Sequence, residues 1–308
     1  MATTTSITTT YAGEFAGKYI SAALLSADTL EGGGITIKPN VKYKEVIKTL
    51  STDAIVKDAT CDFSDTSTIT LEERVLQPEE FQVNLELCKS DFVSDWEAIS
   101  MGYSAFDELP SNFSDFLIGH VAAKVAQKME QNIWNGTNAT AGEFDGITKL
   151  LAADSDVVDV VGTTITAANV ITELGKVVDA IPTAVYGKED LYLYVSSSVA
   201  RAYVRALGGF GASGLGANGV NNQGTTWFNN QDLAFDGVKL FVCSGMPDND
   251  IVAAQKSNLF FGTGLLSDHN EVKLLDMADL DGSQNVRVIM RFTAGVQMGI
   301  GADIVYYT

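Results

Sequence analysis

A glycine-rich stretch, "GGFGASGLGANG" at residues 208–219, is the most obvious candidate for chemistry in this chain. It holds two overlapping copies of G-x-G-x-x-G, the spacing that lets a backbone approach a pyrophosphate, starting at Gly209 and Gly214. Phosphate binding requires that such a run follow a strand and open a helix. Here it follows the predicted helix 197–207 and leads into "VNNQGTTWFNN", which has no helical pattern. We therefore predict a loop after a helix end, without a bound nucleotide.

Other groupings that could support catalysis or metal binding are incomplete. His120 lies beside the apolar ridge of a predicted helix, and His269 lies in the polar turn "LSDHNE". The stretch "DMADLDG" at 276–282 has the acids of a calcium loop at the wrong spacing, and the twelfth position counted from Asp279 is Met290 rather than a glutamate. The sequence therefore predicts no catalytic residue, no cofactor and no metal site.

Composition and charge narrow the possible functions. The 308 residues include 39 Asp and Glu against 20 Lys and Arg, a net charge of −19, and 46% are apolar. This is a globular composition, and its negative charge opposes binding to phosphate backbones. The three cysteines are widely spaced, which excludes a disulfide framework or a CxxC zinc site and suits a reducing cytosol. No signal peptide and no apolar run long enough to span a membrane is present.

Residues 1–35 form a Thr-, Ser- and Gly-rich arm with little apolar content. A segment of this composition cannot bury enough apolar surface to order itself. We therefore expect the arm to be ordered only by contacts outside its own fold.

Residues 36–88 have the pattern of long strands, with the cleanest alternation in "EFQVNLEL". The remaining strands in this segment are poor in apolar residues and rich in charge. The charges are sorted, because four lysines and one glutamate between residues 38 and 48 give +3, whereas ten acids and two bases in 62–97 give −8. A two-stranded ribbon of this kind is marginal alone and needs a surface to lie on.

The segment 112–134 predicts the longest helix, because an apolar residue recurs every four positions along one ridge: Phe113, Leu117, Val121, Val125, Met129 and Ile133. Downstream, short strands alternate with helices. One predicted helix ends before Pro182, and four of its side chains are predicted to face the core: Ile171, Leu174, Val178 and Ile181. "LYLYV" is a strand that feeds a helix capped by Ser196, and "NVRVIMRFTAGVQMGIGADIVYY" reads as a final long pair of strands. The sequence therefore predicts an α+β protein.

The order of these parts resembles the tailed-phage (Caudoviricetes) major capsid protein family with the Hong Kong 97-like fold. The resemblance is carried by five parts in order. These are the arm 1–35, the E-loop-like ribbon 36–88, the spine-like helix 112–134 followed by "FDGI", the mixed α/β stretch 164–280 that includes "LYLYVSSSVARAYVRAL" and "FDGVKLFVCSGMP", and the terminal "VRVIMRFTAGVQMGIGADIVYY". It implies a peripheral domain at 89–163 and 281–308 and an axial domain at 164–280. The covalent Lys–Asn cross-link of some family members is not implied, because no local motif identifies its partners.

The resemblance implies a structural protein rather than an enzyme. Such a chain builds pentamers and hexamers of an icosahedral virion shell, which encloses packaged double-stranded DNA without specific binding. Because the chain starts directly at the arm, a separate scaffolding protein is implied, along with a portal and decoration or head-completion proteins, and assembly in the host bacterial cytoplasm. It also implies that the arm and the ribbon lie across neighbouring subunits. Because of the charge sorting in the ribbon, the expected inter-subunit residues are Lys42 and Lys44 with Glu72 and Glu73 of a neighbour, together with Phe15 and Tyr19 of the arm. The expected capsomer-centre loop contains Gly211, Gly214 and Gly216.

Two alternatives remain open from the sequence. An encapsulin-type compartment shares the fold but lacks the long Thr-rich arm, and co-purified cargo protein in place of DNA would identify it. A mixed α/β enzyme would need a concave polar site, which the sequence does not indicate, and a small discrete oligomer would favour it.

Overall fold

A computed structural model of the chain describes residues 28–52, 55–59, 61, 65, 67–88, 111–208, 233–264, 273–278 and 282–308. Its five helices in these ranges are α1 (Asp28–Glu31), α2 (Ser111–Asn135), α3 (Ile147–Ala153), α4 (Val170–Asp179) and α5 (Ser197–Gly208). Its strands are β1 (Thr36–Lys38), β2 (Glu45–Thr52), β3 (Ile69–Leu76), β4 (Glu79–Cys88), β5 (Val158–Val160), β6 (Leu191–Ser196), β7 (Ala234–Phe235), β8 (Val238–Cys243), β9 (Ile251–Gln255), β10 (Leu259–Gly262), β11 (Lys273–Asp276), β12 (Asn285–Met298) and β13 (Val305–Tyr307).

The larger of two compact units comprises residues 27–79, 129–264 and 294–308. Its main element is a six-stranded mixed sheet with strand order β5-β13-β9-β6-β8-β7. Helices α4 and α5 pack on this sheet and share one apolar core with it, which includes Leu174, Val177, Leu193, Val195, Ile251 and Val305. The predicted cap of α5 forms, because the Ser196 hydroxyl accepts a hydrogen bond from the Val199 N–H at 3.4 Å.

A second sheet in the larger unit joins segments that are far apart in the chain. β1 pairs with β10 in parallel, and β10 pairs antiparallel with the end of β12, from Leu259 opposite Met298 to Gly262 opposite Gly295. β2 and β3 form a separate two-stranded antiparallel sheet, called the ribbon below.

The smaller unit comprises, among the described residues, parts of 80–128 and 265–293. Here β11 pairs antiparallel with the start of β12, and β4 also pairs with β12. The rings of Phe81 and Phe292 lie 5.7 Å apart between these two strands. His120, partly buried on α2, belongs to this unit.

Helix α2 matches the four-residue ridge that predicted it, and β6 matches the predicted strand "LYLYV". Two details differ. Ile171 is 49% exposed rather than inward, and the buried stripe of α4 runs through Val170, Leu174, Val177 and Val178 instead. The final segment is not one pair of strands, since β12 and β13 lie in different sheets.

Candidate assembly surface

The ribbon has two faces that its register defines residue by residue. Glu45 is opposite Leu76 at one end, and Thr52 is opposite Ile69 at the other. Directly opposed residues of an antiparallel pair point to the same side, and successive residues alternate sides. One face therefore carries Val46, Lys48, Leu50 and Thr52 of β2 with Ile69, Leu71, Glu73 and Val75 of β3, and we call it the apolar face.

The apolar face is open to solvent in the isolated chain. Leu50 is 61% exposed and its opposite residue Leu71 is 68% exposed, and the opposed Val46 and Val75 are also exposed. Of the 14 exposed large apolar side chains in the described part of the chain, eight lie between residues 43 and 75: Tyr43, Val46, Leu50, Ile55, Val56, Ile69, Leu71 and Val75. Five of these eight lie together on the apolar face, and exposed apolar side chains grouped in this way favour an interaction site.

One pair of opposite charges interrupts the apolar face. Lys48 is directly opposite Glu73, between the Val46–Val75 and Leu50–Leu71 pairs. Both side chains are exposed. A partner that covers this face must therefore accommodate a charge pair at its centre.

The other face anchors the ribbon to the larger unit, but only near its base. Ile47 and Leu76 are buried and form an apolar cluster with Val41, against which Phe260 packs. Gly262 faces Leu76 so closely that an added Cβ would lie 2.9 Å from its side chain. This packing fixes the base of the ribbon and leaves the apolar face uncovered.

Polar contacts also attach the base of the ribbon to the larger unit. The Arg74 guanidinium pairs with the Asp154 carboxylate, and both side chains are largely buried. The Gln297 side-chain amide donates to the Val75 carbonyl at 2.9 Å, and Lys38 pairs with Glu45. The Lys38 ammonium also lies 5.0 Å from the centre of the Phe260 ring. The ribbon is thus attached through one face and one end.

The charged residues predicted to join subunits are all exposed on or beside the ribbon. Lys42 and Lys44 precede β2, and the Lys44 ammonium lies 5.3 Å from the centre of the Tyr43 ring. Glu72 is opposite Thr49 on the face away from the apolar one, whereas Glu73 is opposite Lys48. Lys44 precedes the residues opposite these acids by four and five positions, about 13–17 Å in an extended strand, and Lys42 precedes them by six and seven, so we do not expect the two groups to pair within one chain.

The other predicted contact residues lie outside the described residues. These are Phe15 and Tyr19 of the arm and Gly211, Gly214 and Gly216 of the glycine run; His269 also lies there. In the described ranges, no three His, Cys, Asp or Glu side chains are grouped closely enough to hold a metal ion. None of the helices in these ranges is long and apolar enough to cross a membrane.

Sequence reasoning missed the apolar face. It identified the ribbon by its charge, although the alternation of Val46 and Leu50 with polar residues was visible in "EVIKTLST". The missing information was the register, because only the pairing with β3 brings Leu71 and Val75 to the same side.

Comparison with known proteins identifies solved structures that share this fold. No family model and no curated protein sequence matches the chain. Among solved structures, the capsid of a native GTA particle aligns with a TM-score of 0.62 and 15% identity over 94% of this chain and 93% of that one. The capsid of the cyanophage P-SCSP1u aligns with a TM-score of 0.56 and 13% identity over 96% and 91%. A chain of Mycobacterium phage Cain gives 0.57 and 14% over 91% and 87%. The chain has the fold of these capsid proteins, and the predicted α+β Hong Kong 97-like fold is confirmed.

Proposed function

We propose that this chain is the major capsid protein of a tailed bacteriophage, which assembles into pentamers and hexamers of an icosahedral shell around packaged DNA. The observation that carries the proposal is the apolar face of the ribbon. A strand pair attached at its base, with Leu50 and Leu71 more than 60% exposed, is not covered on this face by any of the residues that the structure describes. Copies of the same chain supply that partner in a closed shell, where one contact is repeated around each symmetry axis.

The net charge supports enclosure of DNA without tight binding. At −19, the chain repels phosphate backbones on average, so a shell built from it would not hold the genome by counter-ion release. The role is structural rather than catalytic. The proposed partners are other copies of the chain, a separate scaffolding protein, a portal and decoration or head-completion proteins, and the proposed location is the virion, after assembly in the host cytoplasm.

Substitution of the apolar face tests the proposal directly. Leu50→Asp and Leu71→Asp place a charge on side chains that are exposed in the isolated chain, so the subunit should fold normally. We expect both variants to fail to form closed shells when expressed under conditions in which the wild type forms them, with negative-stain microscopy and sedimentation as readouts. Val161→Asp is the matched control, because Val161 is 84% exposed and lies outside the ribbon.

Three outcomes would contradict the proposal. If the wild type gave only a small discrete oligomer, the capsid role would be wrong and the enzyme alternative would return. If shells formed but carried a cargo protein rather than DNA, the encapsulin alternative would be favoured. If Leu50→Asp and Leu71→Asp assembled as well as Val161→Asp, the apolar face would not be the contact.

A further inference from the structure

A buried carboxylate joins the N-terminal end of the described chain to helix α2. The Glu130 side chain is fully buried. Its Oε1 accepts a hydrogen bond from the Thr29 hydroxyl at 2.6 Å, and its Oε2 accepts one from the Thr29 backbone N–H at 3.1 Å. The backbone N–H of Gly245, which follows β8, also donates to this carboxyl group. Three donors from two segments therefore converge on Glu130.

The directions of these hydrogen bonds are fixed by Trp134. Its indole Nε1 donates to the Thr29 hydroxyl at 2.8 Å, and an indole nitrogen can only donate. The Thr29 hydroxyl must therefore accept from Trp134 and give its own proton to Glu130. Thr29 and Trp134 are also fully buried, so this chain of bonds has no water to replace it.

The charges around Glu130 are unfavourable for a carboxylate. Asp28 of α1 contributes a second carboxyl group, whose Oδ2 accepts from the Ser244 hydroxyl. The nearby Cys243 thiol of β8 contributes no charge, because burial raises its pKa. In the part of the chain that the structure describes, no cation pairs with Glu130. A buried carboxylate without a cation is expensive to ionise, even when hydrogen bonds surround it.

The segment that follows Thr29 is seated against the same region. Gly32 and Gly34 cross the ring of Phe241 so closely that an added Cβ at either would lie 2.9 or 2.8 Å from it. The Tyr194 hydroxyl donates to the Gly34 carbonyl. Residues 28–34 thus form a strap held by Glu130 at one end and by Tyr194 at the other.

We propose that Glu130 is a proton-linked latch, which holds the strap 28–34 against α2 and β8 and closes more firmly when its carboxyl group is protonated. Opening the strap would expose this carboxyl group to water, where its ionised form is stable. The latch therefore ties the attachment of the N-terminal segment to pH, and it does so whether or not the chain builds a shell.

The direction of the pH effect follows from the surroundings of Glu130. Burial, and secondarily the charge of Asp28, raises its pKa above the ordinary value, while the hydrogen bonds from Thr29 and Gly245 oppose this rise. The closed latch consequently binds a proton more tightly than the open strap does. The stability gained is complete below the pKa of the open state and is lost as pH rises through the pKa of the closed state.

Hydrogen exchange of the full-length subunit tests the latch, with the amides of residues 29–38 as reporters and those of β6 as the internal reference. After correction for the intrinsic pH dependence of exchange, protection of the strap should fall as pH rises above the ordinary pKa of a glutamate and should level off once the pKa of the closed state is passed, with a slope of at most about tenfold per pH unit. Glu130→Gln removes the titration, so its protection should not change with pH. Thr29→Val removes only the hydroxyl, so its protection should be lower at each pH with the slope retained.

Glu173→Gln is the matched control, because Glu173 is also buried but its pKa is lowered rather than raised. This variant should keep the pH slope of the strap. The latch would be wrong if the wild-type strap showed flat protection, protection that increased with pH, or the same slope in Glu130→Gln. If Glu130→Gln does not fold, the wild-type slope and its retention in Thr29→Val decide the question.

Discussion

Lys48 lies directly opposite Glu73 at the centre of the apolar face, with a Val–Val pair on one side and a Leu–Leu pair on the other. While the face is open, this pair is exposed and contributes less than about 1 kcal/mol. Once a neighbour covers the face, both charges lose water together, and a lone charge at this position would cost about 2–5 kcal/mol. The pair therefore stabilises the subunit little, and we expect it to select how a neighbouring subunit docks on the apolar face.

Charge exchange at this pair tests that role. Lys48→Glu should place two acids opposite each other and reduce the shell yield at least tenfold, because like charges directly opposed are destabilising and 1.4 kcal/mol is a factor of ten. The exchanged double variant, Lys48→Glu with Glu73→Lys, should recover most of the yield. Sedimentation of assembled particles measures both, and the subunit melting temperature should stay within a few degrees in each. A double variant as defective as the single one would show that each charge meets its own partner on the neighbour.

Reversal of Lys42 and Lys44 tests the contact proposed from charge sorting. We do not expect these exposed lysines to reach Glu72 or Glu73 of their own chain, so the acids of a neighbour are the proposed partners. Lys42→Glu with Lys44→Glu should block assembly or make it depend strongly on salt, since screening acts within about 8–10 Å. Turbidity or light scattering across a salt series reports assembly. A sharp fall in the subunit melting temperature with normal shells would instead assign these charges to the subunit itself.

The helices and the central strands could be predicted from the sequence because their apolar residues recur with a regular local period. Helix α2 was readable because one apolar residue in four kept a single ridge for its entire length. In α4, the predicted buried stripe begins at Ile171 and the observed one begins at Val170. Both stripes have helical spacing, and both contain Leu174 and Val178. Only packing on the six-stranded sheet selects the stripe that buries Val170 and Val177 and leaves Ile171 half exposed.

Contacts between segments that are far apart in the sequence could not be predicted from a local period. Thr29 and Glu130 are 101 positions apart, and neither has a neighbour in sequence that indicates the other. The same applies to Arg74 and Asp154, since each occurs in a charged stretch where solvent exposure is the ordinary expectation. Such pairs depend on which strands and helices meet, and that follows from the complete chain rather than from a local period.

Loss of Arg74 should loosen the base of the ribbon. The Arg74 and Asp154 side chains are only 21% and 13% exposed, so Arg74→Met would leave a largely buried carboxylate without its partner. We expect a loss of about 1–3 kcal/mol in the free energy of unfolding, between the values for exposed and fully buried pairs. Urea denaturation measures it. Arg74→Met combined with Asp154→Asn should recover part of the loss, and a single variant as stable as the wild type would show that water replaces this pair.

Substitution of two glycines by alanine should have opposite effects on stability, because only one of them lies close to the backbone of another segment. An added Cβ at Gly245 would lie 2.1 Å from the backbone oxygen of Glu130, where no flexible side chain can yield, whereas none at Gly175 in α4 would meet an atom within 4 Å. Gly245→Ala should therefore destabilise the larger unit by about 3 kcal/mol or more. Gly175→Ala should stabilise it by about 0.5–1 kcal/mol through the higher helix propensity of alanine. Thermal melting compares the two, and equal effects would contradict the close approach at Gly245.

Glu173 should give the subunit a pH dependence opposite in sign to that of the Glu130 latch. Both of its carboxyl oxygens bond the Lys176 ammonium, at 2.8 and 3.0 Å, and the Tyr307 hydroxyl lies 2.9 Å from Oε2. The Lys176 hydrogen bond, which outweighs burial, lowers the pKa of Glu173 below its ordinary value of 4.5.

A lowered pKa means that the stability contributed by Glu173 is present above the pKa of the unfolded chain and is lost as pH falls through the folded value. The melting temperature of Glu173→Gln should therefore lie below that of the wild type at about pH 7, and the difference should shrink below about pH 4. Tyr307→Phe removes the tyrosine hydroxyl but leaves Glu173 bonded to Lys176, so this variant should retain most of the wild-type pH dependence. A difference between Glu173→Gln and the wild type that stayed constant from pH 7 downward would show that the variant acts through packing alone, and ionisation of Glu173 would then contribute nothing to the stability of the subunit.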